Sequence, residues 1–225
     1  MNIGVVCALE SEIRMFRLLY KDSGEYRSGG ARVTRFDIFS HTLFLTICGV
    51  GKTCAAMAVQ TLISAFDCEL IINTGLSGGC DSSLSPGEAV VIEKSLYHDF
   101  PYTDLPGFSI GFPDGFRSDT DLINLASRSL DFLKIPNITG IAATGDIFVS
   151  DSSLKLRITA QTQCSCVDME AAAIAHVASA NNLPFIIVKF ISDNADINAA
   201  SDFTVNLKLY AEQCASFIRE MVKRI

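Results

Sequence analysis

Three acids stand where carboxylates are hard to explain by solubility alone: Glu12, Glu170 and Asp193. Glu12 lies just past the opening apolar run NIGVVCAL, at the start of a helical pattern. Asp193 closes the apolar run FIIVKFIS, with Asn194, Ala195 and Asp196 forming a turn behind it. Glu170 sits in CVDMEAAAIAHVA, where the residues that follow are nearly all apolar. A helix that is apolar all round is buried, so a carboxylate in its first turn faces the interior or a cleft. Ligands of α/β sheets gather at the carboxyl ends of the strands, and acids held there in unlike surroundings can divide proton donation from proton acceptance. Each acid also has a structural explanation. Glu12 suits a solvated first turn through the helix dipole, Asp193 a turn or N-cap, and Glu170 a capping arrangement with Asp168. Singly, the structural explanation is favoured for Glu12 and Asp193 and evenly balanced for Glu170. Together, at the same edge of one sheet, the three favour a site.

The stretch ICGVGKTCAA, residues 47–56, poses a different chemistry. A phosphate-gripping loop ending in Gly-Lys-Thr needs a glycine five positions before the Gly-Lys pair, so that several backbone N–H groups wrap the phosphates. Thr46 occupies that position, inside the apolar run TLFLTICGV. The stretch reads instead as a tight strand-to-helix turn at Gly49 and Gly51, with Lys52 and Thr53 opening an alanine-rich helix. The eight cysteines do not form a metal pattern. Cys7, Cys48, Cys54 and Cys68 sit in apolar runs as small hydrophobes, and Cys164 and Cys166 lack zinc-ligand spacing. His176 reads as a hydrogen-bonded residue of an apolar helix, and His98, in YHD, as a loop residue near a site at most. No metal or cofactor is implied.

Alternating patterns position these residues. Strands are expected at NIGVVCAL, RVTRFDIFS, TLFLTICGV, ELIINTG, EAVVIEKSLY, Ile138 to Thr144 and FIIVKFIS. Ser40 and His41 suit a hairpin, and LSGGCDSSLSPGE a Gly/Ser-rich turn. Helices are expected at LESEIRMFRLLY with Ile13, Phe16 and Leu19 inward, at Cys54 to Phe66, near Asp121 to Leu133, after Asp151, from about Met169 to Asn181, and from Phe203 onward. Residues 100–117, rich in Pro, Gly, Phe and Asp, suggest a long loop ordered by a ligand or a second subunit. Strands separated by helices give a single α/β domain over residues 1–225, three layers deep (α/β/α), with a mixed, largely parallel central sheet. At 49% hydrophobic and 19% charged, the chain can bury a substantial core. A net charge of -7 argues against a surface for nucleic acid or anionic lipid. Without a signal peptide pattern or a membrane-length apolar run, the expected location is the cytoplasm.

In order along the chain, ALESE, GVGK, INTGLSGG, YHD, TGDIFVS, VDMEAAAIAHV and ISDNAD resemble the purine nucleoside phosphorylase superfamily. The match is nearest to its hydrolytic branch, the 5′-methylthioadenosine/S-adenosylhomocysteine nucleosidases. The run VDMEAAAIAHV followed by ISDNAD is the specific part. The resemblance implies cleavage of an N-glycosidic bond through a ribosyl cation-like state, with a purine nucleoside as the small-molecule substrate. It implies that Asp193 protonates purine N7, that Glu12 activates water on the opposite face of the sugar, and that Glu170 holds the ribose hydroxyls. This parallels the acid-and-base pair of inverting glycosidases. Phe148 would stack on the purine, the Val149 backbone would read its edge, and Met169 would pack on the sugar. Leu9, Val50 and Phe203 would surround the 5′ substituent, with Ser77, Gly78 and Lys189 also at the substrate site.

Hydrolysis rather than phosphorolysis is implied because the opening carries Glu10 and Glu12, whose charge repels phosphate, with Lys52 the nearest cation. Two positions depart from the family pattern. Leu76 stands where NTGSAGG would place a hydroxyl, and Lys189 stands where an arginine is usual; both are expected near the water and Asp193. A futalosine hydrolase is the alternative, and a non-catalytic nucleoside-binding domain a lower one. The resemblance also implies a homodimer, in which the aromatic loop from Tyr97 to Phe116 closes the neighbour's pocket.

Overall fold

The computed structural model describes residues 1–100 and 114–225. The run NIGVVC becomes β1 (Asn2–Cys7), buried from Ile3 onward. It lies between β4 (His41–Ile47) and β5 (Leu70–Gly79) and runs parallel to both. β10 (Phe185–Asp193), buried throughout, pairs in parallel on the far side of β5. Strands apolar on both faces need cover on both. Helices α1 (Glu10–Leu19), α3 (Thr120–Phe132) and α6 (Ala199–Arg224) enclose one core cluster. Helices α2 (Lys52–Phe66) and α5 (Ala171–Ala180) enclose another. The architecture is the expected α/β one, with a mixed sheet between helical layers. Among the described residues, no helix is long and apolar enough to cross a membrane.

The sheet also bends back on itself. β10 pairs antiparallel with β6 (Ala89–Tyr97), β6 parallel with β8 (Asn137–Thr144), and β8 parallel with β9 (Cys166–Asp168). β9 then pairs antiparallel with the end of β5, Gly78 opposite Val167, so five strands close into a ring. β9 was not foreseen, because three residues carry no periodicity. The polar edge strand β2 (Gly24–Ser28) was also unforeseen; it pairs with β3 (Ala31–Ile38), which joins it to β4. A two-residue β7 (Phe116–Arg117) lies against β6, and α4 (Ser152–Thr162) follows its N-cap Asp151.

Five local expectations need correction. β5 does not stop at NTG but runs on through Gly79. Its glycines are sites of close approach: a Cβ on Gly75 would lie 2.7 Å from Glu12 Oε1, and one on Gly78 2.9 Å from Ala195 Cβ. Leu19 is exposed, and Tyr20 takes the inward place, its ring 4.8 Å from that of Phe16. The hairpin turn falls at Phe39 and Ser40, with Phe39 at φ 51° and His41 already in β4. The helix expected from Met169 begins at Ala171, after β9, and the last helix begins at Ala199 rather than Phe203. The loop expected over residues 100–117 lies largely outside the described residues, and with it the aromatic segment assigned to a dimer contact.

Candidate active site

One pocket gathers seven chain segments. It is lined by Ala8, Leu9 and Glu12 after β1, Val50 after β4, and Leu76, Ser77 and Gly78 of β5. Ile147, Phe148 and Val149 follow β8, Val167 to Glu170 span the β9–α5 junction, and Ser192, Asp193 and Phe203 complete it. Its volume is about 790 Å³ including the open mouth. The sequence-based set thus converges, with one exception. Lys189 is 2% exposed and sits behind the wall, its Nζ 2.8 Å from Asp168 Oδ2. The acids do not share a single sheet edge either. Glu12 and Asp193 follow parallel strands, whereas Glu170 arrives from β9, which runs antiparallel to β5.

Glu12, 3% exposed, is fixed by backbone donors. Its Oε2 accepts from the N–H groups of Ala8 (2.9 Å) and Leu9 (3.0 Å), and its Oε1 from Leu76 N–H (3.1 Å). The link to Leu9 is half of a capping box, so the capping explanation and the site explanation describe the same geometry. Burial pushes the Glu12 carboxyl up from its ordinary pKa, against the pull of those N–H groups and of Lys189. Leu76 bears on the site twice: its N–H holds Glu12, and its side chain is apolar pocket wall. Glu10, expected in the same opening, instead faces solvent, 2.8 Å from Arg17.

Glu170 is the N-cap of α5, and its Oε1 accepts from Gly51 N–H at 2.9 Å. Gly51 adopts φ 103°, a backbone that a side chain rarely permits. The glycines of the GVGK turn therefore serve to bring a backbone N–H onto a site carboxylate. Burial raises the Glu170 pKa to about 7, with Lys189 pulling against it and Asp168 and Glu12 adding to it. Asp193 Oδ1 accepts from Ala195 N–H (2.8 Å) and Oδ2 from Ser192 Oγ (2.7 Å). Burial pushes the Asp193 carboxyl up as well, against those two donors.

Asp168 does more than the capping that the sequence suggests. It caps α5 by accepting from Ala171 N–H (2.8 Å), accepts from Thr144 Oγ1, and neutralises Lys189. Burial alone would push the Lys189 ammonium down, but Asp168, Glu170 and Glu12 outweigh it and hold the ammonium above its ordinary pKa. Lys189 is therefore a counter-ion shared among three carboxylates and not a neighbour of Asp193. The signal for this was present in the sequence as a lysine inside an otherwise apolar strand, which burial tolerates only with a partner. Phe148 is 43% exposed at the pocket mouth, edge-on to Phe203 with ring centroids 6.0 Å apart. Among the described residues no cluster of His, Cys, Asp and Glu has the arrangement of a metal site.

Comparison with known proteins extends over the same span. A family model described as the phosphorylase superfamily matches residues 2–223. The 5′-methylthioadenosine/S-adenosylhomocysteine nucleosidase of Neisseria meningitidis, solved with methylthio-immucillin-A, is 29% identical, with a TM-score of 0.93 over 100% of this chain and 99% of that one. The S-adenosylhomocysteine nucleosidase of Streptococcus pyogenes, solved with 5-methylthiotubericidin, is 28% identical, with a TM-score of 0.91 over 100% and 97%. The futalosine hydrolase of Helicobacter pylori is 25% identical, with a TM-score of 0.93 over 100% and 98%.

Proposed function

The chain belongs to the phosphorylase superfamily, and from that premise we propose that it is a purine nucleosidase that hydrolyses 5′-methylthioadenosine, S-adenosylhomocysteine, or both. The observation that carries the reading is the makeup of the pocket. Four carboxylates, of Glu12, Asp168, Glu170 and Asp193, line it beside Phe148 and apolar side chains, with no cation among its described lining residues. A phosphate nucleophile would meet negative charge there, whereas water can be deprotonated by a carboxylate.

In this mechanism Asp193 delivers a proton to the departing purine. Its burial favours the protonated form that a general acid needs. Glu12 takes a proton from water attacking the anomeric carbon, and its three backbone donors pull toward the ionised form that a base needs, against the burial that raises its pKa. Glu170 binds the ribose hydroxyls and faces the positive charge that develops on the sugar. Lys189, ion-paired to Asp168 behind the wall, pulls against the burial that raises the Glu170 pKa. Phe148 covers the purine, Val149 reads its edge through the backbone, and Met169 packs on the sugar. Leu9, Val50 and Phe203 form an apolar end suited to a thioether, beside Ser77 and Gly78. The reading carries with it a homodimer, tested by sedimentation.

The deciding experiment is a product assay with and without phosphate. Adenine release from 5′-methylthioadenosine without phosphate supports hydrolysis. Strict phosphate dependence, with 5-methylthioribose 1-phosphate as product, rejects it. Futalosine belongs in the same assay, because a futalosine hydrolase shares the fold; preferential release of hypoxanthine from it would reassign the substrate.

A further inference from the structure

Lys52 opens α2 beside the pocket but turns away from it, and none of the proposed chemistry uses it. Its Nζ donates to Asp99 Oδ2 at 2.6 Å and lies 3.6 Å from Asp146 Oδ2. The ammonium also sits 5.6 Å from the centroid of the Tyr97 ring. Asp99 Oδ2 accepts in addition from Asp146 N–H at 2.8 Å, and Asp146 Oδ1 accepts from Lys52 N–H at 2.9 Å. These bonds make a closed circuit through three elements: the start of α2, the end of β6 and the turn after β8. The circuit is packed as well as bonded. The His98 imidazole and Asp99 Cγ occupy the space that a side chain on Gly145 would need.

Two parts of the pocket hang directly from this circuit. Gly51, the residue before Lys52, donates its N–H to Glu170 at 2.9 Å. Ile147, Phe148 and Val149, which follow Asp146, form one wall. We infer that Lys52, Asp99 and Asp146 are positioning residues, a clamp that holds the segment 147–149 in register with the Gly51–Glu170 contact so that purine and ribose are gripped together. An ordinary surface ion pair would contribute little. Here the side chains of Lys52 and Asp99 are only 23% and 18% exposed, and the pair is tied to backbone N–H groups on both sides. The clamp answers what GVGK is for: its glycines reach the carboxylate, and its lysine locks the turn to the purine wall.

The inference rests on the nucleosidase reading for its effect on catalysis, but not for its effect on the chain. Lys52→Met keeps the stem and removes the charge, leaving Asp99 and Asp146 facing each other. With 5′-methylthioadenosine as substrate, KM is expected to rise about tenfold, the scale of one charged hydrogen bond. Because the clamped segments touch substrate in the ground state, kcat should change by less than about threefold. The double variant Lys52→Met with Asp99→Asn should be no worse than Lys52→Met alone, since the orphaned charge is gone. Amide hydrogen exchange of residues 147–149, on protein verified as folded by circular dichroism, should be about tenfold faster in Lys52→Met than in the unmodified chain, as expected for a loosened local unit. Unchanged exchange, an unchanged KM, or a double variant whose losses simply multiply would overturn the clamp. If the unmodified chain releases no purine from any nucleoside offered, the nucleosidase reading fails, and the exchange measurement alone decides the clamp.

Discussion

Replacing Lys189 with methionine should expose how much of the site depends on one buried cation. The side chain is 2% exposed, its Nζ lies 2.8 Å from Asp168 Oδ2, and Glu170 and Glu12 are the further charges that raise it. Lys189→Met keeps the length and apolar stem but leaves three buried carboxylates without their counter-ion. Removing one partner of a buried pair costs about 3–5 kcal/mol. For a chain of this size, ~2–4 °C of melting temperature go with each kcal/mol, so a fall of roughly 6–20 °C is expected in calorimetry. The chemistry should move too. Lys189 is the main influence pulling Glu170 down from burial, and without it the pKa of Glu170 rises above about 7. In the proposed mechanism Glu170 acts ionised, so the acid limb of kcat/KM against pH should shift to higher pH. Lys189→Arg keeps the charge and should retain most of both properties. A Lys189→Met protein with unchanged melting temperature and pH profile would refute the shared counter-ion.

Glu170 has a signature of its own in stability. Its folded pKa of about 7 exceeds its ordinary 4.5, so the folded chain binds the extra proton. That contribution is fully present below about 4.5 and is lost as pH rises through about 7, a slope approaching 1.4 kcal/mol per pH unit. Glu170→Gln should remove it, as seen in urea melts across that window. In kinetics Glu170→Gln should raise KM and lower kcat together, because the proposed mechanism has it bind ribose before and during reaction. Glu12→Gln should chiefly lower kcat, measured on folded protein, with ~1–3 kcal/mol of stability lost because its amide cannot accept all three backbone N–H bonds. Gly75→Ala forces a Cβ to 2.7 Å from Glu12 Oε1; displacement of the carboxylate should reduce kcat, with about 1–3 kcal/mol of overpacking visible in the melting temperature.

The sequence carried the sheet-and-helix alternation because β1, β4 and β10 are continuous apolar runs and α1 has a clear inward stripe. It carried the acids because Glu170 and Asp193 interrupt apolar surroundings. It hid features that depend on tertiary pairing. The glycines of TGLSGG read as a turn, yet they lie in a strand, where their missing side chains make room for Glu12 and Ala195. Glu10 and Glu12 are two apart on a helix and therefore face differently, one to Arg17 and one to the pocket. The partner of Lys189 could not be read, because Asp168 reaches it only after β9 pairs with β5 and β8. Lys52 showed its charge in the sequence but not its direction, which Asp99 and Asp146 set from 47 and 94 residues away.

Asp193→Asn tests the proposed chemistry most directly, because it preserves shape and removes only the proton to be given. The Asp193 carboxyl is 2% exposed and accepts from Ala195 N–H and Ser192 Oγ, so the variant must first be shown to be folded. On that protein, with 5′-methylthioadenosine and no phosphate, kcat is expected to fall by about 10²–10⁴ while KM changes only a few-fold. Turnover near that of the unmodified chain would contradict acid catalysis by Asp193.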